Sequence, residues 1–253
     1  ITQFSKDTDG FWVTTEGPDG VPVRFPVRYV FGVYPLQQYL LPLEGGRLQA
    51  LTIAWDSRPT EEGGQRWYHL YPDENIKSGD RLHWTGPYHN WNARCAECHS
   101  TNVRKNFNAP SNTYSTHFDA INVGCEACHG PGENHLKAVR QGNLSTVEKG
   151  GFEVRLQGNR TFQRAPEDDT ASSSHPAGSL QIENCGRCHS RRRTLGDYHY
   201  GRSLTDTHLL AMLSPPLYHP DGQIRDEVYV YGSFIQSKMY AAGVVCTNCH
   251  EPH

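Results

Sequence analysis

Along the first 85 residues, apolar positions gather into short β-branched and aromatic runs separated by turn residues. Phe11-Trp12-Val13 and the stretch from Val21 to Phe31 flank Thr14-Thr15-Glu16-Gly17-Pro18-Asp19-Gly20, which predicts a first hairpin. Glu44-Gly45-Gly46 separates Gln38 to Leu43 from Leu48 to Trp55 and predicts a second. Residues 1–85 therefore read as a β-rich region, and residues 86–253 as a second region of short helices and long irregular connections. Within the latter, the polar stretch from Glu167 to Pro176 reads as an exposed loop. No apolar run approaches the roughly 20 residues a membrane helix needs, so no span is expected.

Composition changes this picture in one respect. Hydrophobic residues are only 36%, with 24 glycines and 16 prolines in 253 residues, which is lean for a core made of protein alone. The interior needs apolar surface from another source. The cysteines supply the answer: all eight fall in four runs, Cys95-Ala-Glu-Cys98-His99, Cys125-Glu-Ala-Cys128-His129, Cys185-Gly-Arg-Cys188-His189 and Cys246-Thr-Asn-Cys249-His250.

A Cys-x-x-Cys-His run is the attachment sequence of c-type haem. The two thiols add to the vinyl groups as thioethers, and the adjacent imidazole becomes the proximal iron ligand. Zinc is the competing explanation, since two Cys-x-x-Cys pairs make an ordinary four-thiolate site. With 14 histidines in 253 residues, however, a histidine falls by chance directly after all four pairs only about once in 100,000 times. A disulfide framework has no use for that histidine either. The expected cofactors are four haem c groups, each with its iron, held by Cys95, Cys98, Cys125, Cys128, Cys185, Cys188, Cys246 and Cys249, with His99, His129, His189 and His250 as proximal ligands. The porphyrins would then fill much of the core, and the haem-free chain is expected not to fold. First cysteines are 30, 60 and 61 residues apart, too uneven for a simple repeat. One helical turn at each motif brings both thiols and the imidazole to one ring.

Ten histidines remain for at most four distal positions, and Met212 and Met239 are the only methionines, so bis-histidine ligation should dominate and hold the potentials low. His253 lies three residues after His250, and three extended residues span at most about 11 Å, too little to pass around a porphyrin. It must ligate another haem or none. His135, six residues after His129, faces nearly the same limit. His69, His83, His208 and His219 complete the candidate set, while His175, in the Ser-rich loop, and His199, between tyrosines, read as structural.

Several blocks outside the motifs are familiar: TEGPDG at 15–20, FGVYPLQQYLLPLEGGRLQALTIAWDSRP at 31–59, GGQRWYHLYPDE at 63–74, INVGCEACHGPG at 121–132 and LYHPDGQIRDEVYVYGSFIQSKMYAAGVVC at 217–246. With them the chain resembles bacterial multihaem c-type cytochromes that carry a tetratricopeptide-repeat region downstream. More distantly it resembles the tetrahaem cytochromes that accept electrons from hydroxylamine oxidoreductase. The β-rich first region and the short helices at the motifs make the expected fold α+β with much irregular structure, while the resemblance implies electron transfer and supports His69, His83, His135, His208, His219 and His253 as candidate distal ligands; His89 and His117 match it poorly. Such relatives carry a haem motif before the point where this chain starts, and further motifs and repeats after it. The chain is accordingly expected to be either a shortened form or part of something longer.

The function expected is electron transfer through a chain of four mostly bis-His haems, with redox proteins as partners. One alternative is a subunit of an extracellular filament, in which copies of the chain join through a heterologous interface. Another is a multihaem oxidoreductase with one open iron, for which Arg191-Arg192-Arg193 would attract an anion. The formal charge of −3 becomes roughly −11 with eight ionised propionates, which gives no reason to expect a nucleic-acid partner. Covalent haem attachment and the initial Ile1 predict a processed, exported protein, periplasmic or extracellular.

Overall fold

The structure, a computed structural model, describes residues 1–156, 162–164, 171–173 and 179–253. The chain divides into two compact units, Ile1–Gly124 and Cys125–His253. The first haem motif therefore belongs to the β-rich unit, and the other three belong to the second unit.

The first unit contains two principal sheets. Strands β1 (Gln3–Asp7), β2 (Gly10–Glu16) and β3 (Pro22–Pro26) form an antiparallel sheet in that order. The first predicted hairpin is β2–β3, but its turn is tighter than the residue types imply. Thr14, Thr15 and Glu16 continue the strand, because Thr15 is buried and Glu16 pairs with Pro22, which confines the reversal to Gly17–Val21. Val21 to Phe31 is two strands: Pro26, with no N–H to donate, ends β3, and the chain passes to β4 (Tyr29–Phe31) in the other sheet.

That second sheet is organised around β5 (Leu36–Leu43). Its C-terminal half pairs with β6 (Arg47–Ala50) across a one-turn 3-10 helix at Glu44–Gly46, the second predicted hairpin. Its N-terminal residues Leu36 and Gln37 pair with β7 (Ile53–Asp56), and β7 pairs with β8 (Arg66–His69). The single strand expected over 48–55 is thus divided after Ala50, with both pieces on the same side of β5. Leu40 and Leu41, successive residues of β5, must point to opposite faces, and both are fully buried. One face packs Leu41 with Val13, Leu51 and Trp84; the other packs Leu40 with Ala50, Trp91 and Ala96. A sheet covered on both sides explains why β5 lacks clean alternation.

The first motif lies on that second face. Helices α1 (Trp91–Arg94) and α2 (Ala96–His99) are single turns, the former capped by the Asn90 side chain accepting from the Ala93 N–H at 3.0 Å. Small strands β9 (Phe107–Asn108) and β10 (Thr113–Tyr114) follow.

The second unit carries its motifs on helix ends. Helix α3 (Cys125–His129) is the second motif itself, followed by α4 (Glu133–Gln141). Strands β11 (Phe162–Arg164) and β12 (Ala171–Ser173) pair antiparallel, so part of the stretch predicted as a loop over 167–176 is a strand; His175 lies outside the described residues. Helix α5 (Ser179–His189) ends in the third motif. Strand β13 (Arg192–Thr194) pairs with β14 (His208–Leu210), α6 (Tyr231–Phe234) and α7 (Lys238–Ala241) follow, and the fourth motif opens on a 3-10 turn at Cys246–Asn248. A core of Ile182, Leu204, Tyr231 and Val245 joins the third motif's helix to the residue before the fourth. No helix among the described residues is long and apolar enough to cross a membrane. The whole is β-rich with few, short helices and long irregular connections.

Candidate haem-binding site

In the first unit a hydrogen-bonded clamp fixes the segment leading into the motif. Gln49 on β6 is 1% exposed, and its Nε2 donates to the carbonyls of Trp84 (3.0 Å) and Gly86 (2.9 Å) while its Oε1 accepts from Asn90 Nδ2 (3.0 Å). Asn92 Oδ1 accepts from the Leu48 N–H at 2.7 Å, and its Nδ2 donates to Thr116 Oγ1 at 2.9 Å. These bonds hold 84–92, which directly follows the candidate ligand His83, against the sheet. Cys95 packs on the same face as Leu40, and burial pushes its thiol up to about 11. His99 is exposed.

The candidate distal histidines of this unit differ in how their rings are held. His83 is buried with Nδ1 2.8 Å from Thr85 Oγ1, which leaves Nε2 for a ligand. His69 accepts a hydrogen bond at Nδ1 from the Tyr71 N–H (3.0 Å), so its neutral ring carries its proton on Nε2. His89, which the sequence did not select, is 6% exposed and its Nε2 has no partner, while its ring is hydrogen-bonded to the Leu82 backbone. Burial holds both His83 and His89 below the usual imidazole value. A buried imidazole nitrogen without a partner is the kind of group that a bound ligand or an ordered water satisfies, and no sequence signal singled it out. His117 is exposed and lies 3.4 Å from Asp119.

In the second unit the helix of the third motif is bonded to both the second and the fourth motifs. Arg187, inside the third, donates from Nη1 to the carbonyl of Ala127, inside the second, at 2.6 Å, and lies over the rings of Tyr198 (4.2 Å) and Tyr200 (5.1 Å). The Tyr200 hydroxyl donates to the Glu126 carbonyl at 2.7 Å. Gln181, on α5, receives the Thr247 N–H at 3.0 Å, and its Nε2 donates to Thr247 Oγ1 at 2.9 Å, which binds the fourth motif to the third. The first thiols of these two motifs, Cys185 and Cys246, face each other, and their mutual hydrogen bond raises Cys185 and lowers Cys246. Gly186 is required here by space, since a Cβ would sit 2.6 Å from the Tyr231 ring and 2.8 Å from Leu204. Of the arginine run, Arg192 Nε donates to the Arg187 carbonyl and Arg192 and Arg193 are strand residues, so the run is at least partly spent on structure.

Around the second motif, His129 Nδ1 lies 3.4 Å from the Val154 carbonyl and His135 Nδ1 lies 2.7 Å from that of Gly150. Phe152 packs on both rings, 5.1 Å from His129 and 4.3 Å from His135. The ring of His253 lies 6.0 Å from that of His129, with planes 14° apart. A cavity of about 520 Å³, lined by Val154, Leu180 and Tyr200 together with Lys149 and Arg155, opens beside this group. His208 is buried with Nδ1 3.0 Å from Thr207 Oγ1, on the strand that pairs with the residues just after the third motif. His189, His199, His219, His250, Met212 and Met239 are exposed.

These features fit covalent haem. None of the eight cysteines is disulfide-bonded, and all are half-buried or exposed, as thioether formation requires. The engaged nitrogen of His83, His129, His135 and His253 is Nδ1, which leaves Nε2 for iron. Among the described residues no three His, Cys, Asp or Glu side chains converge as a zinc site would need.

Residues 64–130 match the family described as cytochrome c554 and c-prime, a segment short of half the chain that takes in the first two motifs with His69 and His83. Among solved structures, the undecaheme cytochrome from the S-layer of Carboxydothermus ferrireducens aligns with 20% identity and a TM-score of 0.31, over 90% of this chain and 32% of that one. The chain thus spans about a third of that protein's length. No curated protein matches. The motif chemistry and the family match together support covalently bound c-type haem and electron transfer through it.

Proposed function

We propose that the chain carries electrons through four covalently bound, mostly bis-His c-type haems, exchanging them with redox partner proteins outside the cytoplasm. The observation that carries this reading is that bonds within one unit tie three motifs together: Arg187, inside the third, to Ala127, inside the second, and Gln181, on the helix that ends in the third, to Thr247, inside the fourth. Groups anchored at sites tied in this way are held at short, fixed gaps, which is what rapid electron exchange needs. The haems supply the redox centres; the protein's part is geometric and electrostatic. It fixes the thioether anchors, orients the imidazoles of His83, His129 and His135 through their Nδ1 hydrogen bonds, and places the Arg187 cation between the second and third motifs.

Intact-mass measurement of the exported, purified chain tests the reading. Four added haems, matched by a pyridine haemochrome count of four, are expected; fewer than four covalent haems would overturn it.

A further inference from the structure

We infer that His253 is the sixth ligand of the haem anchored by Cys125, Cys128 and His129, so that the fourth motif closes the second haem. The inference rests on the haem reading above and assigns one axial pair within it.

Ring geometry is the first ground. Two imidazoles bound through Nε2 on opposite sides of one iron, with metal–nitrogen bonds of about 2.0 Å and about 1.1 Å from nitrogen to ring centre, have centroids about 6.3 Å apart. The observed separation is 6.0 Å with ring planes 14° apart. A full face-to-face stack would lie at about 3.5–4.0 Å, and an offset pair spans about 4.5–7 Å, so the spacing counts together with the nitrogen each ring has left. The second ground is the nitrogen each ring has left. His129 Nδ1 faces the Val154 carbonyl at 3.4 Å and His253 Nδ1 faces Glu251 Oε1 at 3.5 Å, the carbonyl and carboxylate partners that ligating histidines use to hold their tautomer.

The third ground is connectivity. His253 cannot reach around the porphyrin of its own motif, since three residues from His250 span at most about 11 Å. The intervening Glu251-Pro252 is stiff, because proline fixes its own φ and keeps the residue before it extended. One short, rigid segment would then present His250 to one iron and His253 to another, and set the gap between the fourth and second haems.

The test uses the full, haem-loaded chain with His253→Met. Four haems should remain, and one of the four should change from bis-imidazole to His/Met ligation, seen as a new sulfur-to-iron band in the far red and a raised potential for that haem. The same substitution in a chain lacking the second haem (Cys125→Ala with Cys128→Ala) should change nothing further, whereas in one lacking the third haem (Cys185→Ala with Cys188→Ala) the change should persist. In the unsubstituted protein, near-parallel rings should give a rhombic low-spin electron paramagnetic resonance signal that disappears with the second haem. Unaltered ligation of all four haems in His253→Met, or an effect that survives removal of the second haem, would overturn the pairing. His253→Gly, with free imidazole restoring the low-spin signal, supplies an independent check: a low-spin count that stays at four without imidazole overturns it too. A count below four in the unsubstituted chain would instead strike at the haem reading itself.

Discussion

Replacing Gln49 with Leu removes the amide that fastens the segment before the first motif to the sheet. Leu is close to Gln in size, so the cavity is small and the loss is almost wholly polar. Two groups are left without a partner at a site 1% exposed, the Trp84 carbonyl and Asn90 Nδ2, while the Gly86 carbonyl keeps the His89 N–H at 3.2 Å. Each stranded buried group costs about 1–3 kcal/mol, so at about 1.5 kcal/mol apiece the two come to about 3 kcal/mol, and better apolar burial of Leu returns about 1 kcal/mol of it. A net loss of about 2 kcal/mol, with a urea dependence of about 2 kcal/mol per molar, lowers the unfolding midpoint by about 1 M. The assay is urea titration of the haem-loaded protein followed by far-ultraviolet circular dichroism. The looser segment also carries His83, so a partial high-spin signal should accompany the shift. A midpoint within about 0.2 M of the unsubstituted protein would refute the reasoning, because it would mean that water or neighbouring groups satisfy both partners.

Three further outcomes follow from the same contacts. Arg187→Gln removes a cation bonded to the second motif and placed within the third, so the midpoint potentials of the second and third haems should fall in a spectroelectrochemical titration; unchanged potentials would remove this charge from the account. Gly186→Ala forces a Cβ against Tyr231 and Leu204 and should cost about 1–3 kcal/mol, seen as a lowered melting temperature together with reduced loading of the third haem. Asp56 is held down to about 2, chiefly by the side-chain hydrogen bond from Arg58. A folded value below the unfolded one of about 3.9 gives stability that is present above pH 4 and is lost as pH falls towards 2; Asp56→Asn should flatten the acid limb of a stability profile over that window.

The parts of this account that lie in local chemistry were legible in the sequence. The four motifs stand out because attachment needs fixed residue types at fixed spacing, and both hairpins stand out because glycine and proline mark their turns. What escaped depends on which distant residues meet. The division of 21–31 at Pro26 follows from strands joining different sheets, and the division of 48–55 follows from β6 and β7 sharing β5 as a partner. Neither pairing has a local signal. The burial of His89 depends on a segment folding over the sheet under the hold of Gln49, a buried glutamine that periodicity alone marks only as an odd polar residue. Chain reach excluded His253 from its own haem, but only coordinates set its ring against His129. Likewise Arg187 reads as one variable residue inside a motif until its bond to Ala127 is seen.

The measurement that bears most directly on the central claim is low-temperature electron paramagnetic resonance of the oxidised, fully loaded protein, with spins integrated against a haem count. Four haems, all low-spin, is the result predicted for a chain of closed irons that passes electrons. A high-spin signal amounting to one haem in four would contradict it, because an open iron is a site for substrate rather than a step in a wire.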